Sequence, residues 1–476
     1  MSLEFKTRNC WDVFSSAKEQ RAIASLAERY IDFLSRCKTE RETVAYARER
    51  LAAAGYGRNA KGDKIMRDLH GKTLFIARRG KEPLSRGMRF IGAHADTPRL
   101  DLKQRPLQEQ AGVGQAKTHY YGGIRKYQWL ARPLALHGVI VRKNGDSVNI
   151  VIGERPDDPV FTIADLLPHL AKDQITKPVS TAFEAERLNL ILAHKPMPQN
   201  GPMPKSGPMP KSDKDGSKKK EDAATDPIKA RILTILNERY GVVEEDLYSA
   251  ELQAVPAGPA RYVGLDKGLV GGYGQDDRIC VFAALEALLA NGRAVPARAQ
   301  CLVFWDKEEI GSEGSTGAKS RFFEYCVQDM AAAWEPRARF ADIMLNTRGI
   351  SADVHGAVDP DWQELHERLN AATIGHGPCF CKFTGHRGKY EANDAHPEYV
   401  AWLRNILAKG NIPWQMAELG KVDGGGGGTV AMHLAAYGMD IIDFGPPILG
   451  MHSPFEIAGV ADLYATTQAL ELFLKA

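Results

Sequence analysis

Glu308 and Glu309 stand side by side in Phe304–Thr316 (FWDKEEIGSEGST), directly after the apolar run Ala299–Phe304 (AQCLVF). Such a run reads as a buried strand that delivers both carboxylates to its C-terminal edge. Adjacent carboxylates at one strand end repel unless a cation lies between them or one of them holds a proton. A bound metal answers both needs. One carboxylate then serves as a ligand, and its neighbour as the general base for a water molecule.

Four further segments carry side chains of matching chemistry. Phe90–Arg99 (FIGAHADTPR) follows an apolar strand with His94-x-Asp96. Alternate strand positions share a side, so His94 can ligate through its imidazole while Asp96 orients a neighbouring ligand. Gly271–Arg278 (GGYGQDDR) sets Asp276 and Asp277 between a glycine turn and an apolar helix. A carboxylate has two oxygens and can bridge two metals; the spacing leaves open which aspartate does so, and the helix dipole alone also favours acids here. Ile350–Pro360 (ISADVHGAVDP) offers Asp353, with His355 and Asp359 as competitors. Phe444–Glu456 (FGPPILGMHSPFE) presents His452 in a proline- and glycine-rich loop after a strand-like Met439–Phe444. Histidine, aspartate, glutamate, aspartate and histidine form the mix needed by two tetrahedral or five-coordinate zinc sites that share one carboxylate and leave a position open for water. Two metals about 3.5–4 Å apart can hold a nucleophile and a scissile carbonyl together. This chemistry suits aminopeptidases, deacylases and carboxypeptidases alike. A metal-holding scaffold without activity is the reading from a different class.

The residues must be positioned by strands and helices in alternation. Ala17–Leu34 and Glu40–Ala54 have helical apolar spacing, and Lys72–Ala77, Met88–Ala93 and Ala299–Phe304 read as strands. Val281–Leu289 and Ala431–Tyr437 read as helices behind glycine-rich turns. This order predicts an α/β sheet covered by helices on both faces. Between Pro106 and Val255 the texture changes: Leu134–Arg142 and Ser147–Gly153 alternate like strands around Asn144-Gly145, a hairpin signal. Residues 1–105 and 256–476 are therefore expected to form a catalytic domain, with 106–255 a β-rich insert. Within the insert, a stretch at about 195–222 contains tandem GPMPKS repeats and the Lys218–Lys220 run, a composition that predicts a mobile surface loop.

The net charge of +3 is too small to argue for a nucleic-acid surface, and the lysine run has no interleaved aromatics. Seven cysteines without CxxC spacing predict free thiols in a reducing compartment. Neither a signal-peptide pattern nor a bilayer-length apolar run is legible, so the expected location is cytoplasmic, away from any membrane.

With these residues in view, the chain resembles the M18 metallopeptidases, the aspartyl aminopeptidase family, as a divergent bacterial-type member. HADTPRLDLKQRPL is similar to the family's HxDSPxLxxKP-type segment, and Tyr120–Gly138 (YYGGIRKYQWLARPLALHG) to its YGG…RxL…G stretch. WDKEEIGSEGSTGA, SADVHGAVDP and GMHSPFE resemble the DxEExGSxSxxGA, SxDxAHAxxP and MHSxxE segments. In order and spacing the likeness spans nearly the whole chain outside the Pro/Lys stretch. It implies a three-layer α/β catalytic domain interrupted by a β-rich domain. It also implies one zinc on His94 and Asp353, a second on Glu309 and His452, and Asp276 as the bridge. Glu308 would be the general base, and Asp96 would position the site through His94. Mn²⁺ or Co²⁺ could substitute for Zn²⁺. The substrate would be a peptide losing its N-terminal residue, with Asp or Glu preferred, and the chain would assemble into dimer-based homo-oligomers, typically dodecamers.

Three departures stand out. GQDD (Gly274–Asp277) replaces the family's RLDN, with Asp277 in the asparagine's place, and five glycines run from Gly424 to Gly428. Lys382, in GHGPCFCKF, keeps the lysine of the family's IK pair, but the following GHRGKYEANDAH diverges. There His386, Arg387 and Lys389 add positive charge that could meet an acidic substrate side chain, so Lys382, His386 and Lys389 are the substrate-binding candidates.

Overall fold

Four short apolar runs form the centre of one sheet. Ala299–Trp305 pairs in parallel with Met88–His94, which pairs in parallel with Arg348–Ser351, and that strand with Asp440–Gly445. Every residue of the first two is buried, as parallel strands covered on both faces require. Lys64–Leu69 and Thr73–Arg78 extend the sheet antiparallel on one side; Cys379–Cys381 and Gln415–Met416 complete its eight strands on the other. The computed structural model describes residues 3–198, 226–292 and 294–476. The GPMPKS repeats and Lys218–Lys220 lie outside the described residues.

Side-chain alternation along the strands builds two cores. Ile91, Ala93, Leu302 and Phe304 face helices Ala17–Arg36, Gln275–Ala290 and Val460–Lys475, where Tyr30, Phe33 and Phe282 pack together. Phe90, Val303 and Trp305 face helix Phe322–Trp334 and share a cluster with Leu434 of Ala431–Ala435. These three layers bear out the α/β reading. Capping boxes fix where the first long helices start: Ser16 with Glu19, and Thr39 with Glu42, each exchange side-chain and backbone bonds. Segment Gln275–Ala290 is kinked near its start: Asp276 (φ −78°, ψ 106°) and Asp277 (φ −117°, ψ 27°) lie outside helical geometry, so the regular helix follows them and both aspartates are buried at its entrance.

A five-stranded sheet in the order Arg261–Val263, Leu269–Gly272, Glu456–Gly459, Pro447–Leu449, His355–Gly356 lies in the same unit. The chain divides into residues 1–98 with 259–476, and residues 99–258. The second unit is a six-stranded antiparallel sheet containing Leu134–Val141 and Ser147–Ile152, with Gly145 at φ +89° in their turn. Its strand Arg99–Gln110 runs straight through Pro106, where the change of texture begins in sequence. The proline is accommodated at a break in the ladder between Leu102 and Leu107. All seven cysteines are buried free thiols. Among the described residues no helix is long and apolar enough to cross a membrane.

Candidate metal centre

The C-terminal ends of the parallel strands converge on one cavity, the usual place for a ligand in an open α/β sheet. His94 is the last residue of its strand, and Asp353 lies two residues beyond Ser351. Glu308 and Glu309 open a single 3-10 turn after Trp305, entered through Lys307 at φ +70° and left through Gly311 at φ +90°. Asp276 lies at the entrance of the buried helix. His452 sits at φ +66° between strands Pro447–Leu449 and Glu456–Gly459.

Asp276 stands at the centre. Its Oδ1 is 3.1 Å from His94 Nε2, and its Oδ2 is 3.2 Å from His452 Nε2. His94 Nε2 is also 3.9 Å from Asp353 Oδ1, and His452 Nε2 is 3.4 Å from Glu309 Oε2. Among the described residues three donor groups result, His94–Asp276–Asp353, Asp276–Glu309–His452 and His94–Glu308–Glu309, each with donor atoms within 4.8 Å of one another; Asp276 is common to the first two. The other ring nitrogen of His94, Nδ1, lies 3.1 Å from the main-chain carbonyl oxygen of Asp96 and 3.3 Å from its Oδ1. The same carboxylate accepts the backbone N–H groups of Glu308 and Glu309, each at 3.2 Å.

The electrostatics of this cluster call for positive charge. Burial raises Glu309 and Asp353 well above the carboxylate range, and neighbouring carboxylates add to the shift. Glu308 is pushed up to about 7, first by burial, with Asp96 and Asp276 contributing and the two histidines opposing. Burial also works against ionisation of Asp276, yet its bonds to His452 and His94 hold it below the usual range. His94 is raised: burial disfavours its charge, but Asp276 and Asp96 outweigh burial. Glu309 Oε1 is buried with no partner. Hard oxygens and imidazoles, with an orphaned carboxylate oxygen among them, suit divalent zinc.

Of the competitors, His355 is buried, its pKa lowered to about 4 by burial, and it pairs with Pro447 on the cavity wall. Asp359 accepts the Asp361 N–H in a local turn. Asp277 turns away from the donor groups, its Oδ2 accepting the His94 N–H at 3.3 Å. The cavity holds about 960 Å³ and extends from the donor groups to the glycine run Gly425–Gly428 and the Gly385–Lys389 hairpin. Beyond the donor groups and Glu308 its charged lining is mixed, Lys319, Arg387, Lys389 and Lys421 against Glu391, Glu418, Asp423 and Asp443. Lys382 and Lys389 both pair with one carboxylate, Asp394, Lys389 at 2.8 Å. His386 is exposed, its backbone paired with Gly426 and Tyr390. The residue that sequence reasoning left without a role is Glu456, the acid that closes GMHSPFE four residues after His452, whose Oε1 accepts the His452 N–H at 2.7 Å. An acid at that short, fixed offset from a candidate ligand was the available signal.

Comparison with known proteins identifies the family. The aminopeptidase I zinc metalloprotease family (M18) matches residues 33–474. A probable M18 family aminopeptidase 1 of Clostridium acetobutylicum is 44% identical, covering 98% of each chain. The crystal structure of an M18 family aminopeptidase from Thermotoga maritima superposes with a TM-score of 0.89 at 40% identity, over 99% of this chain and 100% of that one. A more distant fold relative, 20% identical with a TM-score of 0.74 over 96% of this chain and 97% of that one, is the S. cerevisiae mApe1 dodecamer. These likenesses separate aminopeptidase from the deacylase and carboxypeptidase readings that the donor groups alone leave open. The chain belongs to the M18 family of zinc metallo-aminopeptidases.

Proposed function

We propose that this chain is a co-catalytic two-zinc aminopeptidase that removes the N-terminal residue of peptides. The supporting observation is the placement of Asp276, one oxygen on each histidine, which divides the donors into two groups with a common carboxylate. His94 and Asp353 would hold one zinc, Glu309 and His452 the other, and Asp276 both. Zinc bound there supplies Lewis acidity, polarising the scissile carbonyl and making an attacking water more acidic. Glu308 lines the cavity with its carboxylate grouped with His94 and Glu309, one donor from each proposed zinc site, and is the general base: it takes a proton from the attacking water and returns it to the departing amine. Asp96 holds the turn that carries Glu308 and fixes the tautomer of His94.

Glu308→Gln keeps the size of the side chain and removes the base. It is expected to retain zinc and lose about 10³-fold or more in kcat. Turnover close to wild type, with zinc still bound, would refute the assignment. The same assay with Asp-, Glu-, Leu- and Lys-anilides tests an acidic preference. That preference rests on the family resemblance, and its local support is reduced because Asp394 offsets both Lys382 and Lys389. Equal rates on all four would remove it. We also propose that the subunit assembles with copies of itself, dimer-based and up to a dodecamer, and sedimentation of the zinc-loaded protein as a monomer would exclude this.

A further inference from the structure

Glu456 is fully buried, and both of its oxygens are committed to main-chain donors. Oε1 accepts the N–H of His452 at 2.7 Å. Oε2 accepts the N–H of Gln275 at 2.6 Å and of Asp276 at 3.2 Å. Two residues assigned to one zinc therefore hang from a single side chain, although they lie on segments far apart in sequence. The anchor is itself braced. Glu456 opens strand Glu456–Gly459, opposite Gly272 of the neighbouring strand, and its carbonyl accepts the Gln275 side-chain amide at 2.6 Å. Gln275 in turn accepts the Tyr30 hydroxyl at 3.1 Å.

His452 needs such an anchor. It occupies the left-handed region at φ +66°, unfavourable for a residue with a Cβ, in a turn whose side chain is one-third exposed. Asp96 serves the other half of the cluster in the same way, with two oxygens on the N–H groups of Glu308 and Glu309. The centre thus has two carboxylate braces, and sequence reasoning named only one of them.

We infer that Glu456 is a positioning residue that presets the site formed by Glu309, His452 and Asp276, so that its loss, by releasing His452, weakens the zinc held with Glu309 more than the other. This rests on the two-zinc reading above. A glutamine at 456 has a single carbonyl oxygen. If that oxygen stays with the two donors of Gln275 and Asp276, the amide N–H₂ faces the N–H of His452, donor against donor, and releases the histidine turn.

The test is a calorimetric zinc titration of chelator-stripped protein, wild type against Glu456→Gln, with thermal unfolding of both. Wild type is expected to take two zincs. The variant is expected to keep one at near wild-type affinity and to bind the other about 10- to 100-fold more weakly, the usual effect of losing a partner that orients a ligand. A variant that titrates like wild type, or one that loses both zincs equally, would overturn the inference. Wild type taking fewer than two would instead defeat the two-zinc reading, and this inference with it. If the glutamine variant does not fold, Glu456→Asp takes its place. It keeps the charge but is one methylene too short to span both segments; one-site weakening is again expected, and an unchanged titration overturns the proposal.

Discussion

Asp96 acts on three partners at once: the Nδ1 of His94 and the N–H groups of Glu308 and Glu309. Asp96→Asn leaves one acceptor oxygen and places an N–H₂ against a donor, so both a ligand and the proposed base shift together. Zinc affinity is expected to fall about 10- to 100-fold, with kcat reduced even at saturating zinc; calorimetry and steady-state kinetics on one preparation read both. Loss of affinity with full kcat at saturation would show that Asp96 acts on His94 alone. The ligand-type residues were legible because their chemistry is written in the side chain: an HxD pair, adjacent glutamates, a histidine in a glycine-rich loop. Glu456 was legible only as the acid that closes GMHSPFE; its role was not, because its partners are backbone N–H groups up to 181 positions away, and backbone carries no sequence signature. The charge of Lys382 and Lys389 was likewise legible, but not the single carboxylate, Asp394, that receives both.

At the scale of elements, three of the four parallel strands were readable to within a residue or two because burial on both faces makes them continuous apolar runs; Arg348–Ser351, four residues opening on arginine and glycine, was not. The five-stranded sheet was not. Its strands have two to four residues, too short to show a period, and pairing alone defines them. Close approach at one strand end gives a sharp test. A Cβ on Gly445 would lie 2.0 Å from the carbonyl oxygen of Asp353 and 3.1 Å from Cys280 Sγ. Gly445→Ala must displace backbone beside a proposed ligand, and is expected to cost about 1–3 kcal/mol of stability and to weaken zinc binding. Denaturant unfolding with and without chelator measures both; a variant as stable as wild type in each condition would show that this strand end yields freely.

For the whole molecule, buried acids set the response to pH. Burial pushes Asp462 up to about 7 and Asp443 up to about 6, from ordinary values of 3.8. The folded chain then holds these protons more tightly than the unfolded chain. Their contribution is fully present below about pH 3.8 and is lost as pH rises through 6 to 7. Zinc works in the opposite sense, because its ligands must shed protons to bind it. The melting-temperature gap between zinc-saturated and chelated protein is therefore expected to widen from pH 5.5 to pH 8, and a constant gap would refute this. The order of the donors along the chain has its own outcome. His94 precedes residue 99, the next donor follows residue 259, and the last is His452. On a ribosome adding about 5–20 residues per second, the first histidine emerges tens of seconds before its final partner. An interrupted translation product that stops between residues 353 and 452 carries the His94–Asp276–Asp353 donors without His452, so the pairing of the two donor groups waits on the last part of the chain to be made.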